Sequence, residues 1–114
     1  MKIAFISDVH GNLEALTTAL EHIDKDDVDQ LVCLGDVVGY GPNPNECVEI
    51  VRDRCNVVLM GNHDYAAIGL ANIEYFNEFA KISTRWTIKT LKDDNKNYLR
   101  SLPFSHRDDE MIMV

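Results

Sequence analysis

Lys2–Ser7, KIAFIS, is a short apolar run that breaks directly into Asp8–Asn12, DVHGN. Such a run, bounded by polar residues, predicts a strand buried on both faces of a parallel sheet. From about Asn12 the apolar period changes: Leu13, Leu16, Leu20 and Ile23 recur at three- and four-residue spacing beside Ala15 and Ala19, which predicts a helix. The pattern then repeats. Leu31–Leu34, LVCL, predicts a second strand, followed by a glycine- and proline-rich loop, GDVVGYGPNPNE. Asn43 or Asn45 can cap the next helix, Pro44 suits its first turn, and Cys47, Val48, Ile50 and Val51 supply its apolar face. Asn56–Met60, NVVLM, predicts a third strand that runs into GNHDYAAIG.

Beyond it, Phe76, Phe79, Ile82, Trp86, Ile88 and Leu91 are spaced for a helix over Tyr75–Leu91, with the aromatic residues expected in the core. Asp93 and Asp94 can start a further short helix through Leu102, which Pro103 ends. SHRDDE reads as a polar turn and Met111–Val114, MIMV, as a fourth strand. Strand alternating with helix indicates an α/β fold with a parallel sheet and right-handed crossovers.

The 114 residues, 46% hydrophobic and 26% charged, suit one globular domain with its own core. Nineteen acidic against eleven basic residues give a net charge of -8, which argues against nonspecific nucleic-acid binding. No apolar stretch reaches the roughly 18 residues of a membrane span, and the N-terminus lacks a signal-peptide hydrophobic region, so a cytoplasmic protein with no membrane partner is expected. Cys33, Cys47 and Cys55 are odd in number and lack CxxC spacing, which predicts buried, reduced, structural thiols. The acidic run Asp24–Asp29 reads as a solvated loop.

In open parallel sheets, ligands bind outside the carboxyl ends of the strands. Those positions hold Asp8 and His10 after the first strand, Asp36 after the second, and Asn62, His63 and Asp64 after the third. In an extended strand end, the spacing of two would turn Asp8 and His10 to one side, where they can grip one cation. Each group has a simpler explanation: Asp8 as a helix cap, His10 on a core carbonyl, Gly35-Asp36 and Gly61-Asn62 as turns, Asp64 as the cap of a short helix. Convergence of all three strand ends on one edge favours a metal or acid-base site. There is no GxGxxG, GxxxxGK[ST] or GxSxG motif, so neither a phosphate cradle nor a serine nucleophile is available, and water activated by a metal is the remaining nucleophile.

The ordered set Asp8-Val9-His10, Gly35-Asp36 and Gly61-Asn62-His63-Asp64 resembles the N-terminal half of the calcineurin-like metallophosphoesterases. LGDVVGYGPNPNECVE looks closest to small prokaryotic members related to YfcE-type phosphodiesterases and diadenosine tetraphosphatases. The resemblance implies the N-terminal part of an αββα sandwich, with mainly parallel strands and crossover helices. It implies two divalent ions, drawn from manganese, iron, zinc or nickel. Asp8 and His10 would bind the first, Asp36 would bridge both, and Asn62 would bind the second. His63 would face the scissile phosphate as a catalytic residue, with Asp64 orienting its ring, and a metal-bridging hydroxide would attack a phosphomonoester or phosphodiester.

The family's later histidine motifs have no counterpart here; the other histidines, His22 and His106, read as structural or exposed. Residues 1–114 are therefore expected to form one incomplete domain that binds a single metal weakly and turns over slowly or not at all. Self-association, or pairing with a missing C-terminal segment through Met111–Val114, is the partner expectation beside the small phosphoester substrate. The alternative function is a non-catalytic or regulatory fragment that keeps the scaffold and binds a partner chain.

Overall fold

The computed structural model describes residues 1–114. Strand β1 (Ile3–Ile6), helix α1 (Leu13–Asp24), β2 (Gln30–Cys33), α2 (Pro44–Arg54) and β3 (Val57–Val58) form a three-stranded parallel sheet in the order β1-β2-β3. Ile3 to Ile6 pair with Gln30 to Cys33, and Val32 and Cys33 pair with Val57 and Val58. Helix α3 (Asn62–Ala67), a 3-10 turn (Ile73–Tyr75), α4 (Glu78–Thr90), α5 (Asp93–Arg100), β4 (His106–Arg107) and β5 (Ile112–Met113) complete the chain.

The alternation of side chains along each strand sorts the sheet into two unequal faces. Ala4, Ile6, Leu31, Cys33, Val58 and Met60 join Leu16 and Leu20 of α1 and Cys47, Val48 and Val51 of α2 in the main core. The opposite face carries Ile3, Val32, Leu34, Val57 and Leu59, and is met by Met111 and Met113. β1 is thus an edge strand and is not buried on both faces as its apolar run predicts; Phe5 is 48% exposed. Crossovers of one hand in a sheet of order 1-2-3 place α1 and α2 on one side, and the other side depends on non-local partners.

The helix signals read correctly where they are local. The Asn12 side chain accepts from the Ala15 amide at 3.0 Å as the cap of α1. Asn43 occupies the cap position of α2 with Pro44 following. Asn45 does a different job: its Oδ1 accepts from the Lys92 amide and from Asn95 Nδ2, both at 2.9 Å, and its Nδ2 donates to the Thr90 carbonyl at 3.0 Å. One buried amide therefore ties the α4–α5 junction to α2.

Two expectations are overturned. The large apolar residues of α4 are not core: Phe79, Ile82 and Trp86 are exposed, as is Tyr75 in the turn before it, and the buried face of α4 is Ala80, Thr84 and Thr87. Small residues allow α4 to approach α3 and α2 closely, and the Thr87 hydroxyl is satisfied by the Ser83 carbonyl at 2.7 Å. Apolar periodicity locates a helix and its stripe but does not say which stripe meets the core. Met111–Val114 does not extend the parallel sheet either. Ile112 and Met113 pair antiparallel with His106 and Arg107, so part of SHRDDE is strand and the segment folds back as a hairpin that buries Met113 on Val32 and Leu59.

Cys33 and Cys47 are buried and Cys55 is half-buried, all as free thiols. Burial pushes their pKa values up to about 11, about 11 and about 12, from 9.0. The folded chain thus keeps protons that the unfolded chain releases, so stability is expected to fall as pH rises from about 9 towards 11, as urea unfolding at a series of pH values would record. Leu99 is wholly buried and Ile82 is exposed. Leu99→Ala is therefore expected to cost about 2–5 kcal/mol in urea unfolding, and Ile82→Ser less than about 0.5 kcal/mol.

Candidate metal centre

The carboxyl ends of β1, β2 and β3 bring their loops into direct contact. The amides of Asp8, His10 and Gly11 donate to the carbonyls of Gly35, Asp36 and Val37 at 3.1, 2.9 and 2.8 Å. This zipper holds Asp8, His10 and Asp36 in the left-handed region, at φ 57°, 49° and 55°. Asp8 and His10 are therefore not carried on an extended strand end, as their spacing predicts. They converge because the bent loop places Asp8 Oδ1 3.4 Å from His10 Nε2. Non-glycine residues held at positive φ cost about 1–3 kcal/mol each, and such strain persists only where surrounding contacts over-determine it.

One of those contacts is Asp64, which is fully buried. Its Oδ2 accepts from the amides of Asp36 at 2.8 Å and Gly61 at 3.0 Å, and its Oδ1 from the Val38 amide at 3.1 Å. Burial pushes its carboxyl up to about 6 against the opposing pull of these amides. Both oxygens are thus engaged with backbone and Asp64 does not bond the His63 ring, which corrects the ring-orienting role that the resemblance implies. It is not the N-cap residue of the short helix, a position that Gly61 holds; as the third helical residue Asp64 caps it from within by accepting from the Gly61 amide.

His10 donates from Nδ1 to the Val38 carbonyl, 3.0 Å away, which leaves Nε2 as the free lone pair. Asp36 Oδ1 accepts from the His63 amide at 3.0 Å. Ligand atoms of His10, Asp36 and His63 lie within 4.8 Å of one another. The Asn62 side-chain amide reaches the two Asp36 oxygens at 3.3 and 3.2 Å, as a donor once its amide is turned over. His63 is packed among rings, with centroids 4.9 Å from His10, 5.0 Å from Tyr40 and 5.2 Å from Phe76. Burial lowers its pKa, with Asp36 opposing, and its Nδ1 is buried without a partner.

Two glycines make the approach feasible. A Cβ on Gly61 would stand 2.1 Å from Asp36 Oδ1, and one on Gly39 would stand 2.9 Å from His63 Nδ1. The imidazole nitrogens of His10 and His63 and the Asp36 carboxylate are a donor set that could hold a divalent cation. Asp8, His10, Asp36, Asn62 and His63 all gather at this edge, whereas His22 is exposed on α1 and His106 lies in β4. Sequence order alone does not reveal Tyr40 and Phe76 as ring partners of His63. Tyr40 carries a signal in its place between Gly39 and Gly41; Phe76 carries none, being brought in from the distant turn before α4.

A model of the calcineurin-like phosphoesterases matches residues 1–111. The chain belongs to this family. Over 101 residues it is 48% identical to the uncharacterized protein MJ0912 of Methanocaldococcus jannaschii, covering 89% of this chain and 42% of that protein. It is 32% identical to the symmetrical bis(5'-nucleosyl)-tetraphosphatase of Psychromonas ingrahamii, across 100% of this chain and 42% of that enzyme. A crystal structure of a metallophosphoesterase from Sphaerobacter thermophilus superposes with a TM-score of 0.82 at 44% identity, over 98% of this chain and 45% of that one. The chain spans about two fifths of the length of the curated relatives it matches. The calcineurin-like fold expected from the strand-end motifs is the observed one. No helix is long and apolar enough to cross a membrane.

Asp64→Asn keeps the shape of the side chain but turns an NH2 group towards backbone donors. It is expected to destabilise the fold by about 1–3 kcal/mol in urea unfolding. Hydrogen exchange should accelerate at the amides of Asp36, Val38 and Gly61, the three that Asp64 now holds.

Proposed function

We propose that the strand-end cluster is a phosphoesterase site using divalent cations, with Asp8, His10 and Asp36 holding one ion and Asp36 and Asn62 a second. The observation that carries this reading is the convergence of His10, Asp36 and His63 ligand atoms within 4.8 Å, with the Asn62 amide against the Asp36 carboxylate. Bound there, divalent cations supply Lewis-acid charge to a phosphoryl group and lower the pKa of water. His10 would present Nε2 to the ion, because its Nδ1 is taken up by the Val38 carbonyl. Asp36, whose backbone amide is held by Asp64, would hold both ions. His63, whose pKa burial lowers against the pull of Asp36, would face the phosphate and donate a hydrogen bond to its oxygens, or in its protonated form a proton to the leaving group.

The substrate is a small phosphomonoester or phosphodiester, and the named tetraphosphatase relative supports phosphate compounds of nucleosides among them. Three protonated thiols suit the reducing cytoplasm. A second reading, a scaffold that binds a partner chain, is favoured by the exposed Phe79, Ile82 and Trp86 of α4 rather than by a free sheet edge.

With only Asp36 and Asn62 for the second ion, calorimetric titration of the 114-residue chain with Mn²⁺ is expected to give one weak site and slow turnover of bis-p-nitrophenyl phosphate. Asp36→Asn should remove both. His63→Gln should lower turnover by about 10²–10⁴-fold with Mn²⁺ affinity nearly intact. Equal loss of Mn²⁺ in the two variants would move His63 into the ligand set, tight binding of two ions would overturn the assignment of ligands, and no cation binding would overturn the reading.

A further inference from the structure

Tyr40 sits where its loop should least tolerate it. Its φ is 66°, and it is flanked by Gly39 and Gly41. A bulky residue in the left-handed region is a conformational outlier, and glycine or asparagine would make the same turn at lower cost. Burial in the core does not account for the choice, because Tyr40 is 49% exposed. The backbone is nonetheless held in place: the Tyr40 amide donates to Ser83 Oγ of α4 at 3.3 Å, and the Gly41 amide to the His10 carbonyl at 2.8 Å. What the strained residue contributes is an aromatic ring at a set position. That ring meets His10 edge-on at 5.2 Å and lies tilted to His63 at 5.0 Å, and about half of the residue stays exposed to solvent beside these two histidines. Phe76 lies against His63 at 5.2 Å, so the histidine is braced by a second ring and does not depend on Tyr40 alone.

We propose that Tyr40 is a stacking platform for a planar aromatic group carried by the phosphoester, an inference that rests on the phosphoesterase reading of the same site. A pre-positioned ring stacks on the π-face of any nucleobase or aryl group without regard to its edge, and it loses little side-chain freedom in doing so. The specificity expected is therefore for an aromatic substituent over an aliphatic one, with little discrimination between bases.

The test is calorimetric binding, in Mn²⁺ buffer, of hydrolysis-resistant phosphonates in two pairs: the methylenephosphonate isosteres of AMP and of ribose 5-phosphate, and phenylphosphonate against methylphosphonate. The wild-type chain is expected to bind the aromatic member of at least one pair about 5- to 150-fold more tightly. A preference in the first pair identifies a nucleobase one sugar away from phosphorus, and in the second alone an aryl group next to it. Tyr40→Ala should bring the ratio close to one, and Tyr40→Phe should keep it. Equal affinities within both pairs, or a preference that survives in Tyr40→Ala, would overturn the platform while leaving the phosphoesterase reading intact. Binding of none of the four would overturn both.

Discussion

The grip of the Asp64 carboxylate on the amides of Asp36, Val38 and Gly61 is the interaction on which the site depends. It joins the loop after β2 to the start of α3 in one step. Removing a carboxylate from water costs several kcal/mol, and hydrogen bonds to a charged acceptor return about 1.5–3 kcal/mol each. Three such bonds offset much of that cost but not all of it, and the Asp64 carboxyl stays pushed up to about 6. With the second loop held in this way, its carbonyls are free to accept from Asp8, His10 and Gly11, so the first loop inherits its shape from the second. The strained φ values of Asp8, His10 and Asp36 follow from this chain of contacts.

The same contacts divide the polar side chains into two kinds. Asp64 and the Val38 carbonyl act on other residues, one shaping the loop and the other selecting the His10 tautomer. His10, Asp36, Asn62 and His63 are left with lone pairs or donors that face one another. A loop edge that satisfied all its own polar groups would have no affinity for a cation. Here the backbone is satisfied first, and the side chains are thereby kept available. The glycines at 39 and 61 are part of that economy of space, since a Cβ at either would enter the site.

Much of the fold was legible because it rests on local signals. The apolar runs at Lys2–Ser7, Leu31–Leu34 and Asn56–Met60, the Asn12 cap and the Asn43-Pro44 start each express a backbone preference that neighbours in sequence suffice to set. The ends of the strands then pointed to Asp8, His10, Asp36, Asn62 and His63, because topology alone carries the carboxyl ends of parallel strands to one edge. What failed was non-local. The exposure of Phe79, Ile82 and Trp86 depends on which face of α4 meets α3 and α2, and the pairing of β5 with β4 depends on how the chain turns at Asp108–Glu110.

The sequence by itself determined the α/β order, the two crossovers and which residues stand at the strand ends, since period, capping and connection handedness are properties of the chain read in order. Tertiary structure decided what those residues do. Asp64 became a backbone anchor instead of a partner for the His63 ring, and Tyr40 and Phe76 became the walls around that ring. The physical reason is that a carboxylate's role depends on which donors share its cavity and a ring's role on which face stays open. Both are fixed only when loops separated by more than twenty residues are brought within hydrogen-bonding distance.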